Sequence, residues 1–149
     1  IRPDLGRVGI VFNPGEACSV ACVKKARAIS RELGITLAEA PIENTTGVIE
    51  ATRALIDRGV QAFWTGGDNT LDNAFAAMTA AATRRGVPIF TSNADHVKAG
   101  AIFSYGAHYR DIGRLIGDLA ARALGEVSLT ATDILDALPQ ALKHIAGRR

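Results

Sequence analysis

Short apolar runs alternate with longer amphipathic stretches along this chain, and each change of period marks a boundary between elements. RVGIVF, Arg7 to Phe12, is rich in β-branched residues and ends at the turn formers Asn13 to Glu16, which predicts a strand. A helix follows, opened by Ser19 or by the turn before it. Val20, Val23, Ala26, Ala28, Ile29 and Leu33 recur at roughly helical spacing, and Gly34 closes it. The alternation continues with strands over 35–41, 60–65, 87–92 and 100–106. Helices are predicted over 45–59, with Thr45 or Thr46 near the cap, over 70–86 and over 108–125, closed by Gly59, Gly86 and Gly125.

Near-continuous apolar strands separated by helices predict an α/β fold, a doubly wound, mostly parallel sheet with helices on both faces. At 149 residues the chain suits one such layer, and a second full domain is not available. The expected organisation is an α/β lobe over 1–126 and a helical tail over 127–149. Short helices in the tail are expected around Asp133 to Leu138 and through Ile145, separated by Pro139.

Net charge is +2, with basic and acidic residues interspersed along the helices, so no nucleic-acid footprint is expected. No apolar run approaches the roughly 20 residues of a membrane-spanning helix. The opening IRPDLGR has neither a signal core nor a Met, so the chain is expected to begin mid-protein or after processing. Cys18 and Cys22, four apart on one helical face, are expected to be small buried side chains rather than a disulfide. No spacing suggests a metal site, and no cofactor is expected.

In open parallel sheets ligands sit outside the carboxyl ends of the strands, where loops leave backbone amides and helix N-termini unpaired. The loops at those ends read NPGEACS, GGDNT, SNADHV and YGAHY. They place Glu16, Cys18, Ser19, Gly67, Asp68, Asn69, Thr70, Ser92, Asn93, Asp95 and Tyr105 on one candidate rim. The same residue types also cap helices and form turns, and Asp68 or Asn69 is expected to cap the third helix. GGDNT resembles the GGDGT loop of NAD kinases and their lipid-kinase relatives, with Asn69 in place of a Gly, which keeps a phosphotransferase open as an alternative. His96, His108 and His144 have no nucleophile partner in sequence and are expected at the surface or at caps, and Trp64 in the core.

RVGIVFNPGEACSV, the later DNT at Asp68 to Thr70, and the run from Pro88 to Glu126 together resemble the ABC transporter substrate-binding family that includes tryptophan- and tyrosine-binding lipoproteins. The resemblance spans about Pro3 to Glu126. It implies a type 1 periplasmic-binding fold, of which this chain matches the second of two lobes. It further implies a small-molecule ligand between this lobe and a first lobe outside this chain, an ABC permease as partner, no catalysis, and a periplasmic or extracytoplasmic location with a lipid anchor on a segment this chain lacks. Cys18 stands where the family usually has a ligand-facing Asn. In SNADHV, Asn93 stands for an Asp and His96 for a Ser, while Asp95 is kept. Asp68 is the expected partner of a ligand ammonium, and Ser19, Asn69, Thr70 and the helix-start amides suit a carboxylate, so an amino acid or relative is the expected ligand. A ligand-sensing domain of a receptor or regulator is the other non-enzymatic alternative.

Overall fold

The computed structural model describes residues 4–106 and 109–125, which form two compact units divided after Gly106. The expected tail over 127–149, with His144, lies outside the described residues, as does His108. In the first unit the strands are β1 (Arg7–Phe12), β2 (Thr36–Pro41), β3 (Ala62–Thr65), β4 (Ile89–Thr91) and β5 (Phe103–Ser104). The helices are α1 (Ala17–Glu32), α2 (Gly47–Asp57) and α3 (Asn69–Thr83), with a short 3-10 helix over Ala94–Val97. In the second unit α4 (Tyr109–Gly125) is an amphipathic helix with Asp111 in its first turn and Arg122 in its last.

All five strands are parallel, in the order β2-β1-β3-β4-β5. Val8 lies beside Leu37 on one side and Ala62 on the other, and Phe63 lies beside Ile89. The chain therefore runs from β1 outward to β2, then returns past β1 to build the other half, so the winding reverses between β1 and β3. At that point the helices after the two strands pack on opposite faces of the sheet, the position at which open α/β sheets take ligands.

Strand alternation sends side chains to two cores. Val11, Phe63 and Ile89 pack with Val48 and Leu55 of α2 and Leu71, Phe75 and Met78 of α3. Ile10 and Phe12 point to the other face, where they pack with Val23 of α1 and half-buried Trp64. Gly34, Gly59 and Gly86 follow α1, α2 and α3 with φ of 67°, 77° and 67°, the left-handed stops expected of them.

Three local expectations need correction. The last strand of the first unit is only Phe103–Ser104, because Gly100 at φ 103° closes the 3-10 turn and delays the return to the sheet. The 92–98 stretch, read as loop, contains that 3-10 helix, started by Asn93, whose side chain accepts from the Asp95 N–H at 3.1 Å. Cys18 is exposed and Cys22 half-buried, since the buried residues of α1 are Ser19 and Val23, one position further along the helix. Both thiols lie over the β3–α3 turn. A Cβ on Gly66 would meet the Cys22 sulfur at 2.7 Å, and one on Gly67 the Cys18 sulfur at 2.9 Å, so these glycines let α1 approach the turn.

Candidate functional site

A connected polar cluster lies past the ends of β1 and β3. Asp68 caps α3, its Oδ1 accepting from the Leu71 N–H at 2.8 Å. Its Oδ2 accepts from the Asn13 N–H at 2.7 Å and the Ser19 hydroxyl at 2.6 Å, so one buried carboxylate fastens β1, α1 and α3 together. All three of its hydrogen bonds come from neutral donors.

Glu16 is the N-cap residue of α1, but its side chain makes no cap bond there; its carboxylate reaches the start of α3 instead. It accepts from the Asn69 N–H at 2.8 Å, the Thr70 N–H at 2.9 Å and the Thr70 hydroxyl at 2.6 Å. Asn13 completes the set, donating its side-chain amide to Thr70 Oγ1 at 2.8 Å. The helix N-terminus and the donors expected to receive a ligand carboxylate, Ser19, Asn69 and Thr70, are thus engaged by two carboxylates of the chain itself. The Thr70 hydroxyl and the Asn69 and Thr70 amides hold the Glu16 carboxyl below its ordinary value. Folded-state depression of a carboxyl contributes stability that is present above its ordinary value of 4.5 and lost as pH falls through the folded value. Urea midpoints of the full chain should therefore drop on going from about pH 6 to about pH 3, and drop less in Glu16→Gln. An identical acid profile in the two proteins would remove Glu16 from this role.

A second cluster lies beside the first, past the end of β4. His96 is buried, 5% exposed, against the surface or cap position expected of it. Its ring stacks on Phe75 with centroids 3.6 Å apart and planes 11° from parallel. Its Nε2 lies 3.0 Å from Asp72 Oδ1 and its Nδ1 3.0 Å from the Thr91 hydroxyl. Asn93 donates its backbone N–H to Thr91 Oγ1 at 3.0 Å, and its side-chain nitrogen lies 3.4 Å from His96 Nε2. Burial pushes the Asp72 carboxyl up and the His96 imidazole down from their ordinary values, and each partner's charge opposes that shift. Thr65, beside Thr91 in register, has a buried hydroxyl without a hydrogen-bond partner among the described residues.

Glu16, Ser19, Asp68, Asn69 and Thr70 are brought into one hydrogen-bonded network, and Asn93 joins the second through Thr91 and His96. Gly67 and Cys18 meet at the edge of the first. Asp95 instead points outward and pairs with Lys98 at 3.2 Å, while Tyr105 is 85% exposed. The Cys18 thiol is raised above its ordinary value, first by the neighbouring Cys22. Sequence reasoning missed Asn13, Asp72 and Thr91. Asp72 was within reach: it lies three residues before Phe75, and that spacing puts a carboxylate on the helix stripe that turns toward the sheet.

The polar groups gather where the parallel sheet reverses its winding, the place where open α/β sheets take ligands. The chain belongs to the ABC transporter substrate-binding protein family, whose profile matches residues 1–137. Its members bind solutes and are not enzymes. Among solved structures, it is similar to a conserved domain protein from Vibrio cholerae, with TM-score 0.77 and 31% identity over 83% of this chain and 42% of that one. It also resembles an ABC domain from Streptococcus pneumoniae in complex with L-Trp, with TM-score 0.75 and 21% identity over 83% and 42% of the two chains. A ligand-free, open substrate-binding protein with adhesive properties from Clostridium difficile gives TM-score 0.70 and 20% identity over 88% and 43%. The chain thus spans less than half the length of each. A search of curated protein sequences finds no match.

Proposed function

We propose that this chain is one lobe of an extracytoplasmic solute receptor serving an ABC import system. The rim at the ends of β1, β3 and β4 faces a small polar ligand, an amino acid or relative, held against a first lobe. Closure of the lobes around the ligand then presents the form that a permease recognises. The reading is carried by a hydrogen-bonded polar cluster at the winding reversal of a chain in the substrate-binding family. The L-Trp complex of the pneumococcal neighbour supports the ligand class.

Charge decides which end of such a ligand this lobe meets. The rim carries Glu16, Asp68, Asp72 and Asp95 against Lys98, and Glu16 sits over the helix N-terminus that would otherwise take an anion. A phosphate meets the same obstacle, which weighs against the kinase-like alternative. The ammonium therefore faces this lobe near Glu16, and the carboxylate is held by the first lobe.

The test is thermal unfolding of the chain joined to a first lobe, against the common amino acids and their desamino analogues. An amino acid at a hundredfold over its Kd should add about 2.7 kcal/mol, and its desamino analogue far less. Stabilisation by ATP alone, or equal stabilisation by the desamino analogue, would overturn the proposal.

A further inference from the structure

Several of the hydrogen bonds that hold residues 92 to 101 meet at His96. Its carbonyl accepts from the Ala99 and Ala101 N–H groups at 3.1 and 3.0 Å, and its own N–H donates to the Asn93 carbonyl at 3.2 Å. Its ring joins this turn to α3 through Asp72 and Phe75, and to β4 through Thr91.

The hydrogen bonds of the ring run in one direction. An ionised Asp72 can only accept, so Nε2 carries the proton and Nδ1 is the acceptor. Thr91 must then donate its hydroxyl hydrogen to Nδ1 while its oxygen accepts the Asn93 N–H. The relay reads Asn93 N–H to Thr91, Thr91 O–H to His96, His96 N–H to Asp72, and the Asn93 side-chain nitrogen, 3.4 Å from Nε2, stands outside it.

We propose that His96 is the positioning residue of this side of the rim: its neutral Nε2–H form holds the Asn93–Val97 turn against α3, and protonation of Nδ1 releases it. A proton on Nδ1 turns an acceptor into a donor aimed at the Thr91 hydroxyl. That hydroxyl must swing round, and the neighbouring Thr65 hydroxyl makes no hydrogen bond to it in this state. The charged groups facing the ring are Asp72 from α3 and Asp95 from its own turn, and both favour the cation. Phe75 and Thr91 carry no charge. Burial opposes the cation and outweighs both carboxylates, which favours the neutral form the relay requires. In consequence, and resting on the receptor reading, ligand affinity falls in acid.

NMR of the full chain tests the relay without a ligand. Long-range proton–nitrogen correlations should show the Nε2–H tautomer near about pH 8. As the ring titrates, hydrogen-exchange protection of the Asn93 and Ala101 amides should fall with it. Thr91→Ser should keep this behaviour, and Thr91→Val should move the ring titration upward by removing the donor to Nδ1. An Nδ1–H tautomer, or protection unchanged through the titration, would overturn the proposal. In the two-lobed protein, affinity for the amino acid found by thermal unfolding should drop roughly fivefold or more across the ring titration, and less in Thr91→Val. If the NMR result holds while no amino acid binds at any pH, the receptor reading fails and the positioning role stands.

Discussion

Asp68→Ala is expected to destabilise the full chain by about 3 to 5 kcal/mol, read as a shift of the urea midpoint. The carboxylate is 4% exposed and accepts three hydrogen bonds from three different elements. Losing the α3 cap costs about 0.5 to 2 kcal/mol. The Asn13 N–H and the buried Ser19 hydroxyl lose their acceptor as well, at about 1 to 3 kcal/mol for each donor left unsatisfied. Asp68→Asn should recover only part of this, because its NH2 group would face either the Leu71 N–H or the pair from Asn13 and Ser19. A loss below about 1 kcal/mol for Asp68→Ala would mean that the carboxylate does not join the three elements. The consequence for binding studies is practical: loss of ligand in Asp68→Ala would report a loosened β1–α3 junction, whereas exposed Asp95 and Tyr105 can be changed without disturbing it.

The architecture was legible because it follows from local signals. Gly34, Gly59 and Gly86 stop their helices in the left-handed conformation, and apolar runs of strand length fill the sheet. The edge on which the polar loops gather follows from strand polarity alone. What the loops do with one another was not legible. Glu16 binds amides 53 and 54 residues away, a pairing that no local pattern encodes. The reading gave those amides to a ligand because a helix N-terminus attracts any anion, including one the chain supplies. His96 was misplaced for a related reason. A histidine beside Asp95 in a polar loop reads as solvated, and only the return of α3 alongside β4 provides Asp72, Phe75 and Thr91 to bury it.

Phe75→Ala should combine a large stability loss with a changed pH profile. The side chain is 2% exposed within the core shared by α2 and α3, and truncating a buried Phe costs about 3 to 5 kcal/mol. The same ring shields His96, whose burial is the first cause of its lowered value. A depressed histidine contributes stability that is present above its ordinary value of 6.5 and is lost as pH falls through its folded value. Asp72 acts in the opposite sense: its raised value favours the folded state below its ordinary 3.8, and that gain is lost as pH rises through the folded value. The histidine window is therefore the one just below 6.5, above the ordinary carboxylate range. Removing the Phe75 ring admits water to the imidazole, moves its value back toward the ordinary one and flattens the stability loss in that window. Phe75→Leu, which keeps most of the apolar volume, should be the milder variant in both respects. Urea midpoints measured across the histidine window separate the two effects: the cavity lowers them at every pH, and the loss of shielding alters only their slope. A slope in Phe75→Ala equal to that of the parent chain would show that the stacked ring does not set the histidine's protonation.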